Sequence, residues 1–86
     1  MHEPDDAKNL SIEEELVLSV FKVRNVRDGY GLTYTTFRGE LTDRPALDLR
    51  ATLRALTEKG YVQVDPQLRD FYILTRKGCG HIGGSP

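Results

Sequence analysis

Two stretches in the second half of the chain restrict its fold more than any other. Leu53-Arg54-Ala55-Leu56-Thr57-Glu58-Lys59-Gly60-Tyr61-Val62 carries leucines at helical spacing, then a glycine, then β-prone residues. Lys59 suits the negative end of a helix dipole, and Gly60 can take the left-handed turn that ends a helix. A strand over 61–65 follows, and a second over 71–75 pairs back on it. Pro66-Gln67-Leu68-Arg69-Asp70 joins them, with the proline favouring a turn and stopping further pairing. A helix that stops on glycine and runs directly into a hairpin is thus written into this half.

Upstream, Ser11 and Glu14 form a capping box, and Glu13, Glu14 and Glu15 lie where the dipole favours negative charge. A first helix, α1, is expected from Ile12 to Val26 or Arg27. Ile12, Leu16, Val20, Val23 and Val26 share one face and are the expected core stripe. Val17, Leu18 and Phe21 then form a surplus apolar face. Asp28-Gly29-Tyr30-Gly31 breaks the helix, and Leu32-Thr33-Tyr34 suits a short strand, β1. Thr35 is the expected cap of a short helix, α2, running through Leu41, although Gly39 costs it about 1 kcal/mol relative to alanine. Asp43-Arg44-Pro45 reads as a turn and cap, so α3 is expected from Pro45 or Ala46 to Lys59. Its core stripe is Ala46, Leu49, Leu53 and Leu56. With the hairpin strands as β2 and β3, the expected fold is mainly α with a small β-wing (α+β). Its order is α1-β1-α2-α3-β2-β3, that of a winged helix-turn-helix over residues 11–78. Residues 1–10 are expected to be a flexible acidic arm and 79–86 a flexible Gly-rich tail.

An 86-residue chain is one domain with a small core. It has no run of about 18 apolar residues, so no membrane span is expected, and Met1-His2-Glu3-Pro4-Asp5-Asp6 lacks the pattern of a signal peptide. A cytoplasmic location follows by default. Cys79 is the only cysteine, and Cys79-Gly80-His81 supplies too few ligands for a stable metal site. No cofactor is expected. No paired carboxylate, Cys–His or Ser–His arrangement points to catalysis, and Gly-rich 78–84 lacks a phosphate-loop pattern, so the chain is not expected to be an enzyme. Residues 1–43 carry five Lys/Arg against nine Asp/Glu, whereas residues 44–86 carry seven against four. The basic half is the half with the hairpin.

The chain resembles winged helix-turn-helix transcription regulators of the MarR and PadR kind. The likeness is carried by Leu53 to Val62 and by Arg69-Asp70-Phe71-Tyr72-Ile73-Leu74-Thr75-Arg76-Lys77-Gly78. It matches a helix ending in L-x-x-L-x-x-x-G-[LYW]-[IV] and a wing closing on Y-x-L-T-x-K-G, and covers roughly residues 11–78. The resemblance implies double-stranded DNA as the partner, with α3 in the major groove and the wing beside it. Two departures stand out. Gly78-Cys79-Gly80-His81-Ile82-Gly83-Gly84 replaces the long helix that often follows the motif, and Ala46-Leu47-Asp48 stands where such regulators often have Ser or Thr.

On α3, Leu47, Ala51, Arg54 and Ala55 fall roughly opposite the core, with Arg50 on the flank. Arg50 and Arg54 suit guanine edges or phosphates, and Leu47 and Ala51 suit thymine methyls. Arg69 sits at the wing tip, and Arg44, Arg76 and Lys77 complete the expected DNA-binding set. The competing reading is a solvated face with an Arg54–Glu58 pair. Thr35, Thr36 and Arg38 can touch backbone, although capping alone explains Thr35. On the wing, Val62, Val64, Tyr72 and Leu74 are expected to face the core and Tyr61, Phe71 and Ile73 to face away. The outer residues either cover α1 or form a partner surface. Val17, Leu18, Phe21, Phe71 and Ile73 are the expected homodimer interface. The expected function is sequence-dependent duplex-DNA binding as a small transcription regulator. The alternative is a winged-helix module that assembles with another protein, and RNA binding has no stacking motif behind it.

Overall fold

A computed structural model describes residues 10–83. Ser11 opens α1 (Ile12–Val23) with the full capping box: its hydroxyl accepts from the Glu14 N–H, and the Glu14 carboxylate accepts from the Ser11 N–H at 2.7 Å. The helix is shorter than expected. Asn25 takes a left-handed φ of 58°, and the N–H groups of Asn25 and Val26 bond back to Lys22 and Phe21. That closes the last turn three residues early, because asparagine tolerates this conformation.

Then follow β1 (Gly31–Thr33), α2 (Tyr34–Glu40), α3 (Leu49–Glu58), β2 (Val62–Val64), β3 (Phe71–Leu74) and α4 (Arg76–His81). The strands form one antiparallel sheet in the order β1-β3-β2. Leu32 faces Tyr72 across β1 and β3, and Val62 faces Leu74 across β2 and β3. The molecule is a small α+β domain of four helices and a three-stranded antiparallel sheet. The expected succession of the first six elements is present, with α4 added.

The buried face of α1 is rotated relative to expectation: of the expected stripe Val20 is buried and Leu16 and Val26 are half-buried. Val17, Leu18 and Phe21 are fully buried, whereas Ile12 and Val23 are 78% and 68% exposed. These three cannot be a dimer interface, because their own protomer already encloses them. The winning face is the one that makes long-range contacts. The Phe21 ring meets Phe37 edge-on at 5.2 Å, Phe37 meets Tyr72 at 6.2 Å, and Glu14 reaches Lys59 at the end of α3. Aromatic edges in this geometry add about 0.5–1.5 kcal/mol each beyond burial.

Two helix starts also move. Thr33, not Thr35, caps α2, and Asp48, not Asp43, caps α3 by accepting from the Ala51 N–H. Ala46 is exposed in the preceding turn, so the α3 core stripe reduces to Leu49, Leu53 and Leu56 with Thr52. Gly60 has φ 87°, and the Gly60 and Tyr61 N–H groups bond back to Thr57 and Leu56, as the glycine stop requires. Tyr61, expected to face outward, is buried in that turn, while Val64, expected in the core, is 47% exposed. The strand begins only at Val62, so Tyr61 follows turn geometry rather than strand alternation. Phe71 and Ile73 are half-buried beside β1.

The segment expected to be a tail instead continues into α4. Thr75 caps it by accepting from the Gly78 N–H, and Cys79 is buried. Gly78 is required for this packing: a Cβ there would collide with the Tyr61 carbonyl oxygen and with Leu74. His81 fixes the far end, with Nε2 at 3.0 Å from Glu15 and its ring edge-on to Tyr61 at 5.3 Å. Residues 1–9 of the expected arm and 84–86 of the expected tail lie outside the described residues.

Candidate nucleic-acid interface

The outer side of α3 follows from its inner side. Burying Leu49, Thr52, Leu53 and Leu56 turns Arg50, Ala51 and Arg54 outward. Arg54 makes no ion pair among the described residues, and in particular none with Glu58. Both line a groove of about 270 Å³ between α3 and the wing, together with Arg50, Thr57, Val64 and Tyr72. This groove separates the helix from the hairpin and carries both signs of charge.

Arg50 is tied to the wing. Its guanidinium donates to both carboxylate oxygens of Asp70, at 3.1 and 3.4 Å, and lies 4.2 Å from the centre of the Tyr34 ring. The bond from Arg50 holds the Asp70 carboxyl below its ordinary range, and the same bond raises the Arg50 pKa. Asp70 itself adopts φ 56°, and its carbonyl accepts from the Tyr34 N–H at 2.8 Å. One residue at the base of the hairpin loop therefore meets α2 through its backbone and α3 through its side chain. The pair is exposed, so its energetic worth is small. The pair bridges α3 and the hairpin loop.

The loop is ordered from its other end by Asp65, which accepts from the N–H groups of Gln67 and Leu68 at 2.7 and 2.9 Å. Leu68 is 55% exposed at the tip, and Arg69 beside it is exposed and makes no ion pair among the described residues.

Tyr34 extends the arginine row. The Arg38 guanidinium lies 6.0 Å from its ring centre. Arg38 and Arg44 share a cleft of about 320 Å³ with Tyr34, Thr42, Leu47 and Leu49, and neither has a carboxylate partner among the described residues. Arg54, Arg50, Arg38 and Arg44 thus lie on α3, α2 and the turn between them, with Tyr34 linking the middle two. Attraction between a guanidinium and an aromatic face is worth about 0.5–1 kcal/mol at exposed sites, enough to bias rotamers.

Other expected site residues are placed differently. Leu47 precedes α3 and packs against the core rather than projecting from the helix. Lys77 donates to the Lys59 carbonyl at 2.9 Å and lies 4.7 Å from the Tyr61 ring centre, so it closes the end of α3. Arg76 begins α4 and is exposed. Tyr34 and Asp70 were not expected in the site. No local sequence signal marks them, because Arg50 comes to both only when the fold is assembled. Asp48, at the departure from the Ser or Thr common in such regulators, is occupied as the α3 cap.

Among the described residues, no group of three or more His, Cys, Asp or Glu side chains could hold a metal ion. No helix there is long and apolar enough to cross a membrane. No protein-family model matches the chain, and neither a curated protein nor a solved structure matches it significantly.

Proposed function

We propose that the chain is a winged helix-turn-helix domain that binds double-stranded DNA, acting in the cytoplasm as a small transcription regulator. The observation that carries this reading is the arginine row over α3, α2 and their turn, flanked by Arg69 at the hairpin tip. Arg54 and Ala51 face the major groove, Arg38 and Arg44 meet the backbone, and Arg69 lies beside the adjoining groove. Arg50 acts as a positioning residue that holds the wing against α3. Glu58 and Asp70 temper the field, so the salt dependence is modest rather than steep.

The test is selection from a random duplex pool at moderate salt, followed by titration of single variants. Arg54→Ala should cost about 1–3 kcal/mol at one base position if it reads a base edge. Arg38→Ala and Arg69→Ala should weaken all sequences alike and flatten the salt slope by roughly one unit each. Thermal stability should not move, because these side chains are exposed. Wild-type protein without salt-dependent duplex binding at low ionic strength refutes the proposal. A second reading, a winged-helix module that assembles with protein, is favoured by one observation, the exposed apolar side of α1.

A further inference from the structure

The outward side of α1 carries a stripe that the described residues leave largely exposed. Ile12, Leu16, Ser19 and Val23 recur at alternating spacings of about four and three residues, the pattern of a helix-pairing seam. At about 100° per residue they fall together, opposite Val17, Leu18 and Phe21, which fill the core. Ile12 and Val23 are the two most exposed apolar side chains of the helix, and Leu16 is only half-buried. Ser19, at the middle of the stripe, is small, and its hydroxyl is already satisfied by the Leu16 carbonyl at 2.6 Å. Covering it therefore orphans no polar group.

Charge is divided between the two ends of this stripe. Glu13 and Glu15 flank its start, and Lys22 and Arg24 flank its finish. The same angular count puts Glu15 and Lys22 on one flank and Glu13 and Arg24 on the other. Within the protomer, Glu13 and Lys22 have no ion pair among the described residues. Glu15 bonds His81 and Arg24 bonds Glu40, and the Glu15 and Arg24 side chains remain about half exposed. Shallow grooves extend the stripe at both ends. One lies between Ile12, Leu16, Pro45 and Leu47, the other between Lys22, Val26, Arg27 and Ile82.

We infer that α1 pairs with α1 of a second copy of this chain, antiparallel, about a two-fold axis crossing near Ser19. In this arrangement Glu15 meets the partner's Lys22 on one flank and Glu13 meets the partner's Arg24 on the other, each twice by symmetry. Both pairs imply the same register, although each was placed independently by the sequence. A parallel pairing would set acids against acids and bases against bases, Glu13 against the partner's Glu15 and Lys22 against the partner's Arg24, which is unfavourable. Apart from Arg44, which also lines the groove at the start of the stripe, the interface shares no residue with the arginine row, so a dimer that ignores duplex DNA leaves this inference intact.

Sedimentation of the full chain tests it, with charge reversals as the decisive variants. Glu15→Lys and Lys22→Glu should each weaken the dimer by about tenfold or more, because each places like charges opposite one another. The double variant should recover most of the loss, which a merely structural role for either residue would not produce. Cysteine substitution fixes the direction. Ser19→Cys should cross-link rapidly between copies, whereas Ile12→Cys should not, since antiparallel packing holds those positions about 20 Å apart. Cys79 is buried, and mapping the linked peptides identifies the bond. A wild-type chain that stays monomeric at high micromolar concentration overturns the inference, as does any cover from within the same chain that keeps it so. Failure of the double reversal to rescue, or equal cross-linking at Ile12 and Ser19, also overturns it.

Discussion

Gly78 and Gly80 stand two residues apart in the same short helix, yet alanine should act on them with opposite sign. Both gain helix propensity on substitution, about 1 kcal/mol in an exposed helix interior. At Gly80 a new Cβ meets nothing within 4 Å, so the gain is kept. Gly80→Ala should stabilise the protein by about 0.4–1 kcal/mol. At Gly78 the new Cβ would run into the Tyr61 carbonyl oxygen and would come 2.7 Å from Leu74 Cδ1. Leu74 can shift its rotamer, but Tyr61 is backbone in the turn that ends α3 and cannot. Overpacking of this kind costs about 1–3 kcal/mol, which outweighs the propensity gain, so Gly78→Ala should be destabilising by about 1–2 kcal/mol. For a domain of this size each 1 kcal/mol moves the melting temperature by about 4–8 °C. Chemical denaturation measures both variants. Reaction of Cys79 with a thiol reagent gives a local readout, because its burial depends on α4 staying docked. Gly78→Ala should speed that reaction and Gly80→Ala should not. If both variants shift stability in the same direction, the close approach of α4 to the Tyr61 turn is wrong.

Glu14 should make stability depend on acid. Burial pushes its carboxyl up, but hydrogen bonds from Lys59 and Ser11 outweigh this and hold it below its ordinary value of 4.5. A lowered folded value contributes stability that is present above about pH 4.5 and is lost as pH falls through the folded value. Glu14→Gln should therefore cost about 1–3 kcal/mol at neutral pH, with the difference from wild type closing in strong acid, as read by urea titration across pH. A constant difference down to strong acid would disprove the linkage. On the proposed interface, Asp70→Asn should leave the left-handed turn intact while releasing Arg50 and removing a negative charge. Because the Arg50–Asp70 contact holds the wing against α3 in the proposed function, duplex affinity should fall for all sequences alike, measured by titration at several salt concentrations. Stronger binding, with the salt slope steeper by about 0.9, would instead mean that the contact only sequesters Arg50.

Local signals determined where the chain turns. The Ser11–Glu14 box and the Gly60 stop are readable because each is a short-range contest between backbone and side chain, decided within a few residues. The hairpin is readable for the same reason. Where two local solutions compete, sequence does not choose between them. Thr33 and Thr35 can both cap α2, Asp43 and Asp48 can both cap α3, and pairing of β1 with β3 and packing of Leu49 settle the outcome. On α1 two apolar stripes have equally good periodicity, and only Phe37, Tyr72 and Lys59, distant in sequence, select the one holding Val17, Leu18 and Phe21. The candidate interface divides likewise. Outward Arg50 and Arg54 followed from helical spacing, but the Arg50–Asp70 contact and the Arg38–Tyr34–Arg50 series join residues from three elements. Periodicity reports which side chains share a face. Which face is buried is a free-energy difference between long-range packings, and that difference exists only once the elements meet.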